Sequence, residues 1–218
     1  SAAEAAFLPN VETAVTLLLD GDPRVGEQAT VFGQGLVGLL TTDLLADCPL
    51  ADLVALDCYP ERRELAREMG ADRALAPDDA PDGVREALDA DATPDGADLT
   101  FELSGNPAAL DDAVAATGYD GRVLVGSWYG EKCTDLDLGG RFHRSRIGIE
   151  SSQVSTVAPE LRGRWSKDRR LSVAWRRLPD LDVERLVTHR IPVAEADRAY
   201  RLLDDHPEDA LGVLFTYD

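Results

Sequence analysis

Residues 29–40 read ATVFGQGLVGLL, three glycines (Gly33, Gly35 and Gly38) set between a short apolar run and a longer one. The four residues 29–32 have the length and branching of a buried strand that ends at Gly33. The stretch LVGLLTTDLLAD, 36–47, reads as a helix, and Pro49 closes it off. A G-x-G-x-x-G pattern at a strand-to-helix junction has a mechanical meaning. The first glycine permits the tight turn, the second lets the backbone approach a pyrophosphate, and the third lets the helix pack close to the strand. The N–H groups at the helix start, near Leu36 and Val37, would then face the phosphates with a favourable dipole. The pattern alone also fits a glycine-rich turn that holds no ligand.

The next segment narrows the choice. LVALD, 53–57, reads as a second strand ending in Asp57, 19 residues beyond Gly38. That is close to the ~20-residue spacing of a ribose-binding acid. A carboxylate there accepts hydrogen bonds from both ribose hydroxyls and repels a 2′-phosphate, which favours NAD over NADP. Arg62 and Arg63 pull the other way, since a guanidinium nearby can receive that phosphate.

Strands and helices continue to alternate. VETAVTLLLD, 11–20, reads as a helix, and Pro60 sits at the first position of a helix that Gly70 ends. DRAL (72–75), ADLTFEL (97–103), GRVLVG (121–126) and RIGIES (146–151) read as strands three to six, with Asn106-Pro107 opening the helix AALDDAVAAT. The stretch 76–96 reads as an acidic surface connection with one short helix. This order predicts an α/β fold with a doubly wound parallel six-stranded sheet covered by helices on both faces and joined by right-handed crossovers. After residue 156 the pattern changes. A basic helix follows, with Leu171, Ala174, Trp175 and Leu178 on one face, then the helix EADRAYRLLDDH and a final strand LGVLFTY.

Composition bounds the partners. The 218 residues carry a net charge of -19, and Lys132 and Lys167 are the only lysines. Such a surface disfavours nucleic acid and anionic membranes and suits a halophilic protein, whose charges concentrated salt would screen. No uninterrupted apolar run approaches a membrane span, and SAAEAAFLPN lacks the basic start of a signal peptide. Cys48, Cys58 and Cys133 are odd in number and widely spaced, which fits free thiols in a reducing cytoplasm.

RVGEQATVFGQGLVG, ALDCYPERRELAREMGAD, FELSGNPAALDDA, GRVLVGSWYG and LVTHRIPVAEADRAYRLL, taken in order, resemble the coenzyme-binding half of a medium-chain, alcohol-dehydrogenase-like dehydrogenase/reductase. The resemblance implies a Rossmann domain over 11–156. It also implies a segment, 157–218, that completes a catalytic domain otherwise built from residues absent here. It gives Gly33, Gly35 and Gly38, with the backbone of Leu36 and Val37, to the pyrophosphate. Asp57 goes to the adenosine ribose and Arg62 lies beside the adenosine. Ser104 and Gly105 border the cofactor after the fourth strand, and Gly126, Ser127 and Trp128 lie near the nicotinamide after the fifth. The implied reaction is hydride transfer between an alcohol or carbonyl substrate and NAD. This chain alone would be inactive, and the catalytic residues themselves stay unassigned. A homodimer through the edge strand near Ile147–Ile149 is also implied.

The family's GHE-type zinc segment is absent. Leu8 or Pro9 occupies the place where zinc-dependent members carry a Glu or Cys, so zinc is not expected in this chain; Glu12, one turn on, could substitute. Other chemistries find little support. YGEK at 129–132 is one residue too short for a Tyr-Lys pair of the short-chain type, and GxSxG and Walker A motifs are missing. His143, His189 and His206 form no HxH or HExxH. Phe32 stands where a methyltransferase would place an acid. The basic stretch from Arg162 to Arg177 fits either an anion site or a solvated face, and Trp165 and Trp175 read as packing residues. A non-catalytic dinucleotide-binding sensor or oligomerisation module remains the alternative class.

Overall fold

The structure, a computed structural model, describes residues 1–88 and 95–217. Six strands form one parallel sheet: β1 (Gln28–Phe32), β2 (Asp52–Leu56), β3 (Arg73–Leu75), β4 (Ala97–Glu102), β5 (Thr117–Val125) and β6 (Gly148–Ser151). Their spatial order is β3-β2-β1-β4-β5-β6. The chain therefore winds outward from β1 in one direction, then returns to β1's other side and winds outward in the opposite one. The crevice at that reversal, beyond the carboxyl ends of β1 and β4, is where such sheets bind ligands.

The core explains the order. All five residues of β1 are buried, because helices cover both of its faces. Val31 points into one apolar cluster, with Leu39, Leu40, Leu45, Leu99 and Phe101. Phe32, one residue on, points into the other, with Val54, Leu56, Leu110, Val114 and Val123. Helices α1 (Ala2–Gly21) and α2 (Leu36–Ala46) contribute to the first cluster, and α5 (Ala109–Ala116) to the second; α3 (Pro60–Glu68) and the short α4 (Asp82–Ala87) follow β2 and β3. Residues 89–94 of the acidic connection lie outside the described residues.

Two boundaries differ from the sequence reading. Helix α1 begins at Ala2, not at residue 11, and carries Pro9 inside it. A Pro in an apolar run reads as a stop, but Glu4 N–H donates to Ser1 Oγ at 3.2 Å and caps a start further back. This helix is long and apolar enough, by length and composition, to cross a membrane, although Glu4, Asn10 and Glu12 interrupt its apolar residues. In the fold Phe7, Val11, Ala14 and Leu17 are buried in the core. Strand β5 begins at Thr117, four residues early, because Thr117 pairs with Ala97 before a bulge restores the register at Leu99 and Arg122.

Beyond the sheet lie α6 (Lys167–Arg177), α7 (Val183–Leu186), β7 (Val187–Pro192), α8 (Ala196–Asp205) and β8 (Gly212–Thr216). Strands β7 and β8 form a separate two-stranded parallel sheet. Arginines hold this segment to the rest. Arg170, buried, donates to Glu12 at 2.8 Å and to the carbonyls of Val154 and Thr156 at 2.7 and 3.0 Å. Arg177 bridges Asp43 and Asp47 of α2 and its C-cap at 2.9 and 2.7 Å, and Arg185 pairs with Glu68 of α3. The basic stretch is thus partly a set of internal tethers, through Arg170 and Arg177, while Arg162, Arg164, Lys167, Arg169 and Arg176 stay exposed. Ala174 and Leu178 are buried as expected, but Trp175 is half exposed, and Val173 packs on the core instead. Trp165 lies under the Arg169 guanidinium at 4.1 Å.

Candidate functional site

A cleft of about 340 Å³ opens at the carboxyl ends of β1, β2 and β4. Gly33, Gly35, Asp57, Arg62 and Ser104, five of the expected cofactor contacts, line it. The glycine loop is built as its spacing implies. Gly33 has φ +90°, a conformation side chains rarely adopt, and a Cβ there would sit 2.5 Å from the Ser104 backbone. A Cβ on Gly38 would lie 1.9 Å from the Gly33 carbonyl oxygen, so this glycine lets α2 pack against the turn. Gly35 differs: a Cβ there would meet nothing within 4 Å. The space above Gly35 belongs to the cleft, not to the protein's packing.

Gly35 is also the residue that precedes α2, and it has no side chain to cap it. The N–H groups of Leu36, Val37 and Gly38 open the helix, so none has an intrahelical acceptor. An uncapped first turn beside an open cleft, with the positive end of the helix dipole, suits an anionic group.

Asp57 is 5% exposed and accepts two backbone N–H groups, Gln34 at 2.7 Å and Tyr59 at 2.9 Å. One of these comes from the glycine loop, so the acid and the loop fix one another. An ionised carboxylate accepts about four hydrogen bonds, which leaves two for a ligand's hydroxyls. Arg62 on α3 lies over the Tyr59 ring at 4.6 Å, with Nη1 3.9 Å from Asp57. Its Nη2 donates to the carbonyls of Pro207 and Ala210 at 2.6 and 2.9 Å. Arg63 turns away and donates to the Asp57 and Cys58 carbonyls.

The same edge of the sheet carries a second polar group. Glu102, fully buried at the end of β4, accepts from Ser104 N at 2.9 Å and from the hydroxyls of Ser104 and Tyr129. Burial, then the hydrogen bond to Glu102, push the Tyr129 phenol well above its ordinary value, so it stays protonated as a donor. Gly105 N–H donates to Ser127 Oγ at 2.9 Å, which ties the loops after β4 and β5. A Cβ on Gly126 would press on Leu103 and Leu17, and Trp128 is 91% exposed. Gly105, Gly126, Ser127 and Trp128 therefore cluster beside the cleft rather than lining it. The sequence reading passed over Glu102, although a lone acid inside the apolar run LTFEL, 99–103, was the available signal. It also passed over Pro207, which lines the cleft from 150 residues beyond Asp57. No local pattern could have revealed that contact.

Glu12, weighed as a substitute metal ligand, is taken by Arg170. Among the described residues, His206, Glu208 and Asp209 form an exposed group within 4.8 Å of one another.

The chain matches the family described as zinc-binding dehydrogenase over residues 37–169, more than half its length. It belongs to that family. The (R,R)-butanediol dehydrogenase of Bacillus subtilis is 32% identical over 135 residues, covering 62% of this chain and 36% of that protein. The D-guloside 3-dehydrogenase of Escherichia coli K12 is 25% identical over 207 residues, 94% of this chain and 59% of that protein. The chain thus spans about a third to three fifths of these relatives. The solved alcohol dehydrogenase of Thermus sp. ATN1 superposes with a TM-score of 0.78 at 26% identity, over 99% of this chain and 60% of its own. Two more distant structures share the fold. A short chain alcohol dehydrogenase from Escherichia coli CFT073 complexed with NADH has a TM-score of 0.75 at 19% identity, covering 97% of this chain and 58% of its own. A dehydrogenase from Sinorhizobium meliloti 1021 bound to NADP has a TM-score of 0.71 at 18% identity, covering 90% and 54%.

Proposed function

We propose that this chain is the NAD(H)-binding part of an alcohol-dehydrogenase-like oxidoreductase that moves hydride between an alcohol or carbonyl substrate and the nicotinamide. The observation that carries the reading is the cleft itself. An uncapped helix, a glycine whose missing Cβ leaves open space, and a buried carboxylate with lone pairs to spare all border one cavity. The family and its alcohol and polyol dehydrogenase members support the same chemistry.

When bound, the nicotinamide supplies the hydride chemistry. The chain's own residues bind and orient. Leu36, Val37 and Gly38 offer N–H groups to the pyrophosphate, with Gly33 and Gly35 keeping the approach clear. Asp57 accepts from the ribose hydroxyls and disfavours a 2′-phosphate, so NAD is preferred to NADP. Ser104, Gly105, Gly126, Ser127 and Trp128 border the nicotinamide end, where Glu102 holds the two loops in register.

We assign residues 11–156 to the cofactor domain and 157–218 to the completion of a catalytic domain supplied mainly by preceding residues of a longer protein. Tyr200, Leu203 and Val193, exposed beside the two-stranded sheet, would be covered there. The substrate and any zinc would be held by that portion, and this chain alone would not turn over. In cells the protein would work in the cytoplasm at high salt, as a homodimer through β6. A thermal-melt series with NADH tests the reading. At a hundred times the dissociation constant the ligand adds about 2.7 kcal/mol of stability. A rise in melting temperature that Gly35→Val removes supports it; an unchanged melt at millimolar NADH contradicts it.

A further inference from the structure

The segment between α8 and β8, residues 206–211, forms a hook over the outer end of the cleft. Leu211 N–H donates to Thr188 Oγ1 at 3.0 Å, Asp209 N–H to the His206 carbonyl at 3.1 Å, and Ala210 is buried. Pro207 lines the cavity beside Tyr59 and Arg62. The Pro207 and Ala210 carbonyls both face Nη2 of Arg62, the one guanidinium among the cleft-lining residues. A side chain on α3 is thus held by a segment that starts 144 positions later. Covered in part by the hook, with 17% of its side chain exposed and Nη2 bound to both carbonyls, Arg62 is held in place. The hook also carries negative charge of its own: Glu208 and Asp209 lie in it, and Asp204 and Asp205 end the helix before it.

We propose that the hook sets the nucleotide preference of the cleft by capturing Arg62, and that Arg62 is the positioning residue through which it acts. This rests on the nicotinamide-dinucleotide reading above. Asp57 supplies one half of the discrimination, by repelling a 2′-phosphate. A nearby arginine would normally offset that repulsion by donating two hydrogen bonds to the phosphate. Here Nη2, one of the nitrogens that such a pair of bonds would use, is bound to two carbonyls, and Nη1 lies 3.9 Å from the Asp57 carboxylate. The hook therefore withdraws the cation and closes the ribose end with Pro207. The inference predicts coupling between two distant places: loosening the hook changes which dinucleotide is preferred.

The test is a titration of NADH and NADPH, by nucleotide fluorescence, against four forms of the chain. They are the wild type, Arg62→Met, a loosened hook (Thr188→Val with Pro207→Gly), and all three substitutions together. Amide hydrogen exchange at residues 208–211 reports in each form whether the hook has opened. The wild type should bind NADH more tightly. The loosened hook should raise NADPH affinity relative to NADH roughly tenfold or more, the scale of hydrogen bonds to a charged group. Adding Arg62→Met should remove that gain, and Arg62→Met alone should speed exchange in the hook. A purely structural hook would weaken both nucleotides alike, so an unchanged ratio in a variant whose exchange has accelerated overturns the inference while leaving the cofactor reading intact. A gain that survives Arg62→Met overturns it as well. If neither nucleotide binds any folded form, the cofactor reading falls and takes the inference with it.

Discussion

Gly35 and Gly38 are equivalent letters in a motif, and the structure separates them. A methyl group at 38 would lie 1.9 Å from the Gly33 carbonyl oxygen; at 35 it would meet only open space. Gly38→Ala should therefore lower stability by about 1–3 kcal/mol, as overpacking does, measured by urea denaturation. Gly35→Val should leave the urea midpoint nearly unchanged and abolish nucleotide binding. Asp57 carries two duties at once. Its carboxylate accepts from Gln34 N–H and Tyr59 N–H, so an amide in its place would turn a donor toward a donor. Asp57→Asn should cost about 1–3 kcal/mol of stability and also narrow the preference for NADH over NADPH, which parallel melts and titrations would separate. The residues of the loop and the acid were legible because their spacing follows from backbone geometry. The carboxylate's bond to Gln34 was not, since it joins positions 23 apart, with α2 and β2 between them.

At the scale of elements, strands buried on both faces announce themselves as short continuous apolar runs, and β1, β2 and β4 were legible for that reason; β3 and β6, the largely exposed edge strands, were legible only from their place in the alternation of strands and helices. The terminal arginines were not. Arg170 finds Glu12 158 residues away and Arg177 finds Asp43 134 residues away, so a basic helix that reads as an exposed face is partly an internal clamp. Arg170→Leu would leave Glu12 and two carbonyls without their partner and should destabilise the fold by about 3–5 kcal/mol in urea, as breaking a buried pair does. Glu27 makes a similar tie between β5 and the turn before β1. Burial pushes its carboxyl up, but the two hydrogen bonds from Arg122, at 2.7 Å each, outweigh this and leave it below its ordinary value of 4.5. The stability this pair contributes is full above pH 4.5 and is lost as pH falls through the lowered value. Glu27→Gln should flatten the acid limb of a melting-temperature profile and change nothing in its slope near neutrality.

The whole molecule carries a charge of -19, and its positive charge is almost entirely arginine. Self-repulsion of that size destabilises the compact state, and 1 M salt shortens the Debye length to ~3 Å. The melting temperature should rise steeply with KCl between 0.1 and about 1 M, the range over which that screening grows; a flat response would count against a halophilic design. The two-stranded sheet of β7 and β8 leaves Tyr200, Leu203 and Tyr217 exposed, which fits a chain that spans only part of its relatives' length. The proposed function depends on the cleft being a dinucleotide site. The direct measurement is a calorimetric titration of the purified chain with NADH in molar KCl, with Gly35→Val alongside. The account predicts one saturable site per chain, lost in the variant while its circular dichroism stays that of the wild type. No heat of binding from a folded wild-type chain, or equal binding by Gly35→Val, would contradict it.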